Sequence, residues 1–406
     1  FDDFVLDPEW ILLGILPPLL YSAAVSMPAM HFRREFGAIA GLSVFLVIGT
    51  ALALGLFFMI VLPDLGFAWG VALGAIVSPT DAVATSIIKR TPVSKRVVAI
   101  LEGESLLNDA TALVLLRTAV AAAAASFSFW GAVGTFAYAV VVAVLIGGVI
   151  GWVNLTVRRR ATDPTVNTVL SFTVPFLAAI PAELLGASGL VAAVVAGIIT
   201  GVGGPRVFSA RNRLSDAQTW RTIELVLEGF VFLFMGLQLT SILTDVEKAH
   251  EGVAPALLIA AGAWLLTVIV RAAYVAPLLA LLSMSARRVR RLQPRLETIA
   301  QRLETEEGEA QLVDAFARRG RRVSRGTVRR FGPRVTRGLA DIRYFQEAPL
   351  GWREGTLVVW AGMRGAITLA AAQTLPEDTP LRSVLVLIAF AVAVVSLVGQ
   401  GASVAP

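Results

Sequence analysis

The sequence predicts an all-α polytopic membrane protein, and three observations carry that prediction. Hydrophobic residues make up 56% of its 406 residues and charged residues only 16%, against about 25% charged in a soluble domain. Mean hydropathy is +0.75. The apolar residues come in long runs rather than in a helical stripe: Phe36 to Pro63 carries no charge at all. A bilayer crossing needs about 20 such residues, whereas a membrane strand shows about 10 alternating ones. Finally, Lys and Arg are concentrated in alternate loops, the pattern of a chain threaded back and forth through a bilayer.

Taken in order, the candidate spans are 9–30, 37–62, 67–88, 97–123, 132–157, 165–182, 187–204, 219–243, 254–283, 355–375 and 381–401. One side of the membrane receives Arg33 and Arg34, then Lys89, Arg90, Lys95 and Arg96, then Arg158 to Arg160, then Arg206, Arg211, Arg213 and Arg221. The opposite loops hold Lys248 and Arg382. Cytoplasmic loops are the ones rich in Lys and Arg, so the first span is expected to run inward and Pro406 to be cytoplasmic. The chain opens at Phe1 without Met and stops mid-pattern, which reads as a fragment.

Residues 286–350 break the apolar pattern and are read as a cytoplasmic insert between spans 1–285 and 351–406. The insert begins Ala286-Arg-Arg-Val-Arg-Arg291, passes an acidic patch from Glu304 to Glu309, and continues Arg318-Arg-Gly-Arg-Arg322. Its middle is expected to form one or two amphipathic helices, with arginines facing water and anionic lipid headgroups. This insert accounts for much of the sequence pI near 10.2. No nucleic-acid recognition motif accompanies it, so nucleic acid is not an expected partner. There is no cysteine, hence no disulfide framework or thiolate metal site. The two histidines, His31 and His250, sit at span ends and make no metal cluster.

Ionisable residues inside a span are costly and mark function or an internal pair. Here their depths agree. Asp109 lies at the middle of span 97–123, Thr80 and Asp81 near that of 67–88, Glu228 near that of 219–243, Arg271 near that of 254–283, and Arg364 near that of 355–375. In Glu102-Gly-Glu-Ser-Leu-Leu-Asn-Asp109 the helical repeat stacks Ser105 with Asp109 and Glu104 with Asn108. The first pair offers hard oxygens to a small cation; the second suits an internal partner such as a mid-membrane arginine. Glu102 lies nearer the end of the span, at an entrance or simply exposed. In Ser78-Pro-Thr-Asp81 the proline should break the helix beside a hydroxyl and a carboxylate. Freed carbonyls at such a break can coordinate a cation. Glycines 362 and 365 around Arg364 tolerate a second irregular segment. Arg117, toward the outer end of its span, is expected to pair with headgroups or a carboxylate.

These segments, together with Leu227-Glu-Gly-Phe-Val-Phe-Leu-Phe-Met-Gly236, Gly362-Met-Arg-Gly-Ala366 and Ala182-Glu-Leu-Leu-Gly-Ala-Ser-Gly189, resemble the sodium/proton exchangers of the cation:proton antiporter superfamily, in the NhaP/NHE-type branch. The resemblance implies an NhaA-like antiporter fold with inverted repeats and two crossing discontinuous helices. It implies a homodimer of thirteen-helix protomers, so two N-terminal helices would lie outside this sequence. It implies ion-binding roles for Asp109, Ser105, Thr80 and Asp81, with Na⁺ at Asp109, Ser105 and Thr80. Glu104, Asn108 and Arg271 would form a supporting network. Arg364 matches the arginine of the second broken helix, and Glu228 and Glu183 match acidic positions. The segment Leu16-Pro-Pro-Leu-Leu-Tyr-Ser22 departs from the pattern, carrying Ser22 where an acidic residue is common.

The expected activity is exchange of Na⁺ for H⁺ across the cell membrane by alternating access, with no cofactor and with proton and cation competing for Asp109. One titrating carboxylate, with Asn108 rather than an acid before it, implies electroneutral exchange. K⁺ or Li⁺ as the cation, a cation channel, and an intramembrane hydrolase built on Asp81 and Asp109 are the alternatives. No Gly-x-Gly-Asp or His-Glu-x-x-His supports the last.

Overall fold

A computed structural model describes residues 10–81, 85, 87–89, 91, 93–124, 129–248, 252–303, 305, 308, 311 and 325–404. Within them the chain is helical almost throughout. Eight helices are long and apolar enough to cross a membrane. The other three expected spans, 9–30, 67–88 and 355–375, are those that the structure shortens or interrupts. His250, most of the acidic patch at 304–309 and the arginines at 318–322 lie outside the described residues.

Helix α1 (Leu16–Ser26) continues directly from a π-helical stretch (Trp10–Ile15), with Pro17 and Pro18 just past the junction. Helix α2 (Ala29–Ala40), a π-helical stretch (Gly41–Leu46) and α3 (Val47–Val61) run on as one span. Helix α4 (Gly66–Val77) packs tightly along α3: a Cβ on Gly74 would stand 2.5 Å from the Ala51 carbonyl oxygen. Small residues permit such close approach between membrane helices. Helix α4 ends at Val77, where Pro79 lacks the N–H that would continue the helical hydrogen bonds.

Helix α5 (Lys95–Ala124) carries the Asn108-Asp109 pair. Helices α6 (Phe129–Arg158), α7 (Pro164–Leu184) and α8 (Gly189–Val207) follow, and α8 packs on α6, α7 and α1. Asp163 caps α7, accepting from the Thr165 and Val166 N–H groups, and Ser188 caps α8. The outer face of α6 leaves Trp130, Leu145, Val149 and Trp152 exposed. Such a face is expected against lipid and is rare in water. Helix α9 (Ala210–Lys248) begins well before the expected span at 219 and packs on α7 and α1.

At the Arg-rich end of this group, Arg158 is buried in a polar node. It donates to Asn167 Oδ1 (3.0 Å), pairs with Asp216 and lies 4.4 Å from the centre of the Phe208 ring. Thr168 donates to Asp216 as well (2.9 Å).

Helix α10 (Val253–Leu303) runs for 51 residues, straight through the expected boundary at 285. Leu292, Leu296, Ile299 and Ala300 keep a helical spacing of apolar residues past the last membrane-compatible turn. Helix α11 (Arg325–Glu347) lies in the last third of the insert; most of the middle, where amphipathic helices were expected, lies outside the described residues. Helices α12 (Trp352–Trp360) and α13 (Ala366–Gln373) flank the second interruption. Helix α14 (Arg382–Val395) continues through a π-helical stretch (Ser396–Gln400).

The residues form two compact units. The first comprises 1–93, 97–274 and 357–406; the second comprises 94–96 and 275–356. Within the second, Gln346 donates to Gln293, joining α11 to α10. Arg96 is buried there. It donates to the Ala348 carbonyl (2.9 Å), and its guanidinium lies 4.7 Å from the centre of the Phe345 ring.

Candidate functional site

The site lies in the first unit, where the two helix interruptions meet. After α4 ends, the Asp81 N–H donates to the Met363 carbonyl across 2.8 Å, so the two irregular segments hydrogen-bond directly. Arg364 Nε donates in turn to the Val77 carbonyl (3.0 Å), a group the broken helix leaves without its own partner. Arg364 also reaches the Gly362 carbonyl through Nη1. Gly365 is required by proximity: a Cβ there would stand 1.6 Å from Asp81 Oδ2.

Two serines that the sequence reading passed over support this arrangement, and each lies in a π-helical stretch. Ser43 donates to the Glu104 carbonyl (3.2 Å), and Ser396 accepts from the Arg364 N–H (2.8 Å). A π-turn inserts one extra residue per turn and is frequent at functional sites. The available signal was a lone serine inside an otherwise apolar run, which by itself says nothing of what it faces.

Glu104 and Arg271 make a buried, bidentate ion pair. Arg271 Nη2 donates to Glu104 Oε2 at 2.7 Å and Nη1 reaches Oε1. Arg271 Nε donates to the Val358 carbonyl (2.8 Å). Two forked hydrogen bonds and a third to backbone offset the cost of removing both charges from water. Thr80 joins the same network, donating to Glu104 Oε1 (3.3 Å) and accepting from Asn108 Nδ2 (2.7 Å). The structure therefore brings Thr80, Glu104, Asn108 and Arg271 together in one chain of hydrogen bonds. Asn108 Oδ1 is buried without a hydrogen-bond partner among the described residues.

Asp109 contrasts with Glu104. It is only 4% exposed, yet no hydrogen bond or ion pair reaches its carboxylate among the described residues. The charge of Asp81 bears on Asp109 and on Glu228, which stands half-buried on α9. Ser105 is buried one turn before Asp109 and gives its hydroxyl hydrogen to the Glu102 carbonyl (3.2 Å). Its oxygen lone pairs remain able to accept.

A cavity of about 510 Å³ opens at the Arg-rich end of the helices, lined among others by Tyr21, Ser22, Glu102, Asp216 and Glu224. Glu102 is paired there with Lys89 (2.5 Å). Ser22 thus lines the cavity rather than the network around Glu104. Arg117 pairs with Glu183 (2.7 Å), a carboxylate partner as the sequence led us to expect. His31 lies in α2, part-exposed.

Comparison with known proteins places this geometry in a family. Residues 3–316 match the family described as sodium/hydrogen exchanger, transmembrane. The chain is 37% identical over 254 residues to the uncharacterized Na(+)/H(+) exchanger YjcE of Escherichia coli, covering 60% of this chain and 46% of that protein. It is 31% identical over 250 residues to the sodium, potassium, lithium and rubidium/H(+) antiporter of Bacillus subtilis, covering 59% of this chain and 37% of that one. The chain thus matches about half of the length of the first relative and less of the second. Among solved structures, the sodium proton antiporter MjNhaP1 of Methanocaldococcus jannaschii superposes with a TM-score of 0.64 at 15% identity, over 97% of this chain and 83% of that one. The likeness is one of fold: the NhaA-like antiporter architecture with its pair of interrupted helices. The chain belongs to the sodium/hydrogen exchanger family.

Proposed function

We propose that this protein is a secondary active antiporter that exchanges Na⁺ for H⁺ by alternating access, with both ions competing for Asp109. One observation carries the reading: among the described residues the buried Asp109 carboxylate has no ion pair, whereas Glu104 on the same helix is fully paired with Arg271. An unpaired charge in a dry site is costly. A proton removes the cost by neutralising Asp109, and a bound Na⁺ removes it equally well. The empty, charged site is expensive to carry across, so exchange is obligatory. With Asn108 in the adjacent position, one proton balances one monovalent cation.

The cation is held by Asp109 with oxygens from Ser105 and Thr80, and Asp81 adds negative charge from the first helix break. The Glu104–Arg271–Asn108 network positions Thr80, and Arg364 ties the two breaks together. Helix interruptions at which backbone and side-chain oxygens face an ion are a recurrent transporter arrangement. The protein works as a homodimer in the cell membrane. Its insert (286–350) and C-terminal segment face the anionic cytoplasmic leaflet, where the Arg-rich loops are most stable, and it serves pH and sodium homeostasis. K⁺ and Li⁺ are additional candidate cations, since the Bacillus subtilis relative is described as acting on both.

Vesicles containing the full chain should collapse an imposed pH gradient when Na⁺ is added, and Asp109→Asn should abolish the response. Undiminished exchange in Asp109→Asn overturns the assignment. A rate that follows an imposed voltage overturns electroneutrality, and parallel assays with K⁺ and Li⁺ define the selectivity.

A further inference from the structure

We infer that the Arg117–Glu183 ion pair is a latch that holds the protein closed on the side opposite its Arg-rich loops; this rests on the alternating-access reading above. The two ends of the helices differ sharply. At the Arg-rich end a cavity of about 510 Å³ reaches down to Glu102 and Ser22. At the other end a cavity of about 90 Å³ lies between Leu113, Arg117, Ala139, Glu183 and Ala187. The pair sits in this narrow end, with Arg117 Nη1 2.7 Å from Glu183 Oε2.

The two partners belong to different groups of helices. Arg117 is on α5, the helix that carries Asp109 and takes the Ser43 contact from the α2–α3 span. Glu183 is in the last turn of α7, within the group formed by α1, α6, α7 and α8. Glu183 is fixed on that group by a second contact: its Oε1 accepts the Gly189 N–H at 2.9 Å, across the turn into α8. Nearby, Tyr138 of α6 donates to the Leu185 carbonyl (3.0 Å), which steadies the same turn. Glu183 is therefore a pre-positioned acceptor, and the arginine is the part free to leave.

Position along α5 gives the pair its meaning. Asp109, Leu113 and Arg117 recur every four residues and so share one face of the helix. Arg117 lies about 12 Å from Asp109 along the axis. Leu113 and Arg117 both line the narrow cavity. An ion leaving Asp109 on this side must pass Leu113 and then the ion pair. Opening that path separates α5 from α7 and breaks the pair. The Lys89–Glu102 pair at the wide end lines a cavity already open. Arg117 is 54% exposed and Glu183 21%, so the contact is modest in strength. A modest contact suits a latch that must release in every cycle.

The sequence contains no cysteine, so a single reporter thiol can be read cleanly. Ala187→Cys places one in the narrow cavity, where Ala187 is buried. The rate of its reaction with a membrane-impermeant maleimide, added from the side opposite the Arg-rich loops, reports opening. Arg117→Gln or Glu183→Gln should each raise that rate by about fivefold, the upper end expected for a partly exposed pair. The double variant should react no faster than either single one. The charge swap, Arg117→Glu with Glu183→Arg, should restore slow reaction. Native rates in both single variants, or additive effects in the double variant, overturn the latch. If a single variant does not fold, the swap decides: slow labelling supports the latch and fast labelling overturns it. Labelling needs no transport and is repeated in Asp109→Asn. Exchange surviving Asp109→Asn would sink the antiport reading, whereas labelling that ignores the pair would sink only the latch.

Discussion

The Asp81 N–H donates to the Met363 carbonyl across 2.8 Å, joining two helix interruptions that lie 282 residues apart in sequence. Neither segment could leave its backbone groups unpaired at membrane depth, because no water is there to satisfy them. Each interruption instead satisfies the other. The Val77 carbonyl, freed where α4 ends, is taken up by Arg364.

This contact depends on the absence of a side chain at Gly365, where a Cβ would fall 1.6 Å from Asp81 Oδ2. Gly365→Ala must push the Asp81 side chain or the backbone aside. Overpacking of this kind costs about 1–3 kcal/mol. The expected outcome is a lower melting temperature in detergent and loss of Na⁺-driven exchange in vesicles, whereas native behaviour in both assays would show that the two breaks can separate freely.

Glu104 and Arg271 should respond together. Removing one partner of a buried pair strands the other charge and costs about 3–5 kcal/mol. Arg271→Ala and Glu104→Ala are each expected to lower the unfolding midpoint by an amount of that order. Replacing both at once with apolar residues of similar size (Glu104→Leu with Arg271→Met) should recover part of the loss. A double variant as unstable as the sum of the two would show that the residues do not act as a pair.

Asp109 should behave in the opposite sense. Its carboxylate has no hydrogen bond or ion pair to lose among the described residues, so Asp109→Asn removes a buried charge without stranding a partner. The variant is expected to melt at or above the native temperature while losing exchange. A fall as large as that of Glu104→Ala would mean that Asp109 is a structural residue.

At the Arg-rich end of α7, Asp163 supplies a pH-dependent cap. The N–H groups of Val166 (3.1 Å) and Thr165 (2.8 Å) hold its carboxyl below the usual carboxylate range. The folded value lies below the unfolded one, so the cap contributes fully above about pH 4, the ordinary value. The contribution fades as the pH falls through the lowered value. Asp163→Ala should therefore melt lower than the native protein at neutral pH, and the gap should narrow in strong acid. Asp163→Asn, which also caps well, should show a smaller gap. A gap independent of pH would remove the carboxylate from the explanation.

Much of this protein was legible in its sequence. Long uncharged runs declared the spans. Pro79 and the glycines around Arg364 marked both interruptions, because proline and glycine act on the backbone wherever the rest of the chain lies. A common depth for Asp81, Asp109, Arg271 and Arg364 could be expected for the same reason, since position along a helix follows from counting residues. The partners could not. The helical repeat offered Glu104 only an unnamed mid-membrane arginine, and it was the resemblance that grouped it with Arg271; the tertiary structure pairs the two across 167 residues and gives Arg364 to the backbone of the other break. It likewise placed Thr80 in the Glu104 network, brought Arg117 to Glu183, and revealed Ser43 and Ser396 as supports. The insert ran on from α10 where a boundary was expected, since its apolar spacing never lost the helical repeat. Distance along one helix axis is a local quantity that the order of residues contains. Which faces of different helices meet depends on packing of the whole bundle, and only the folded chain sets it.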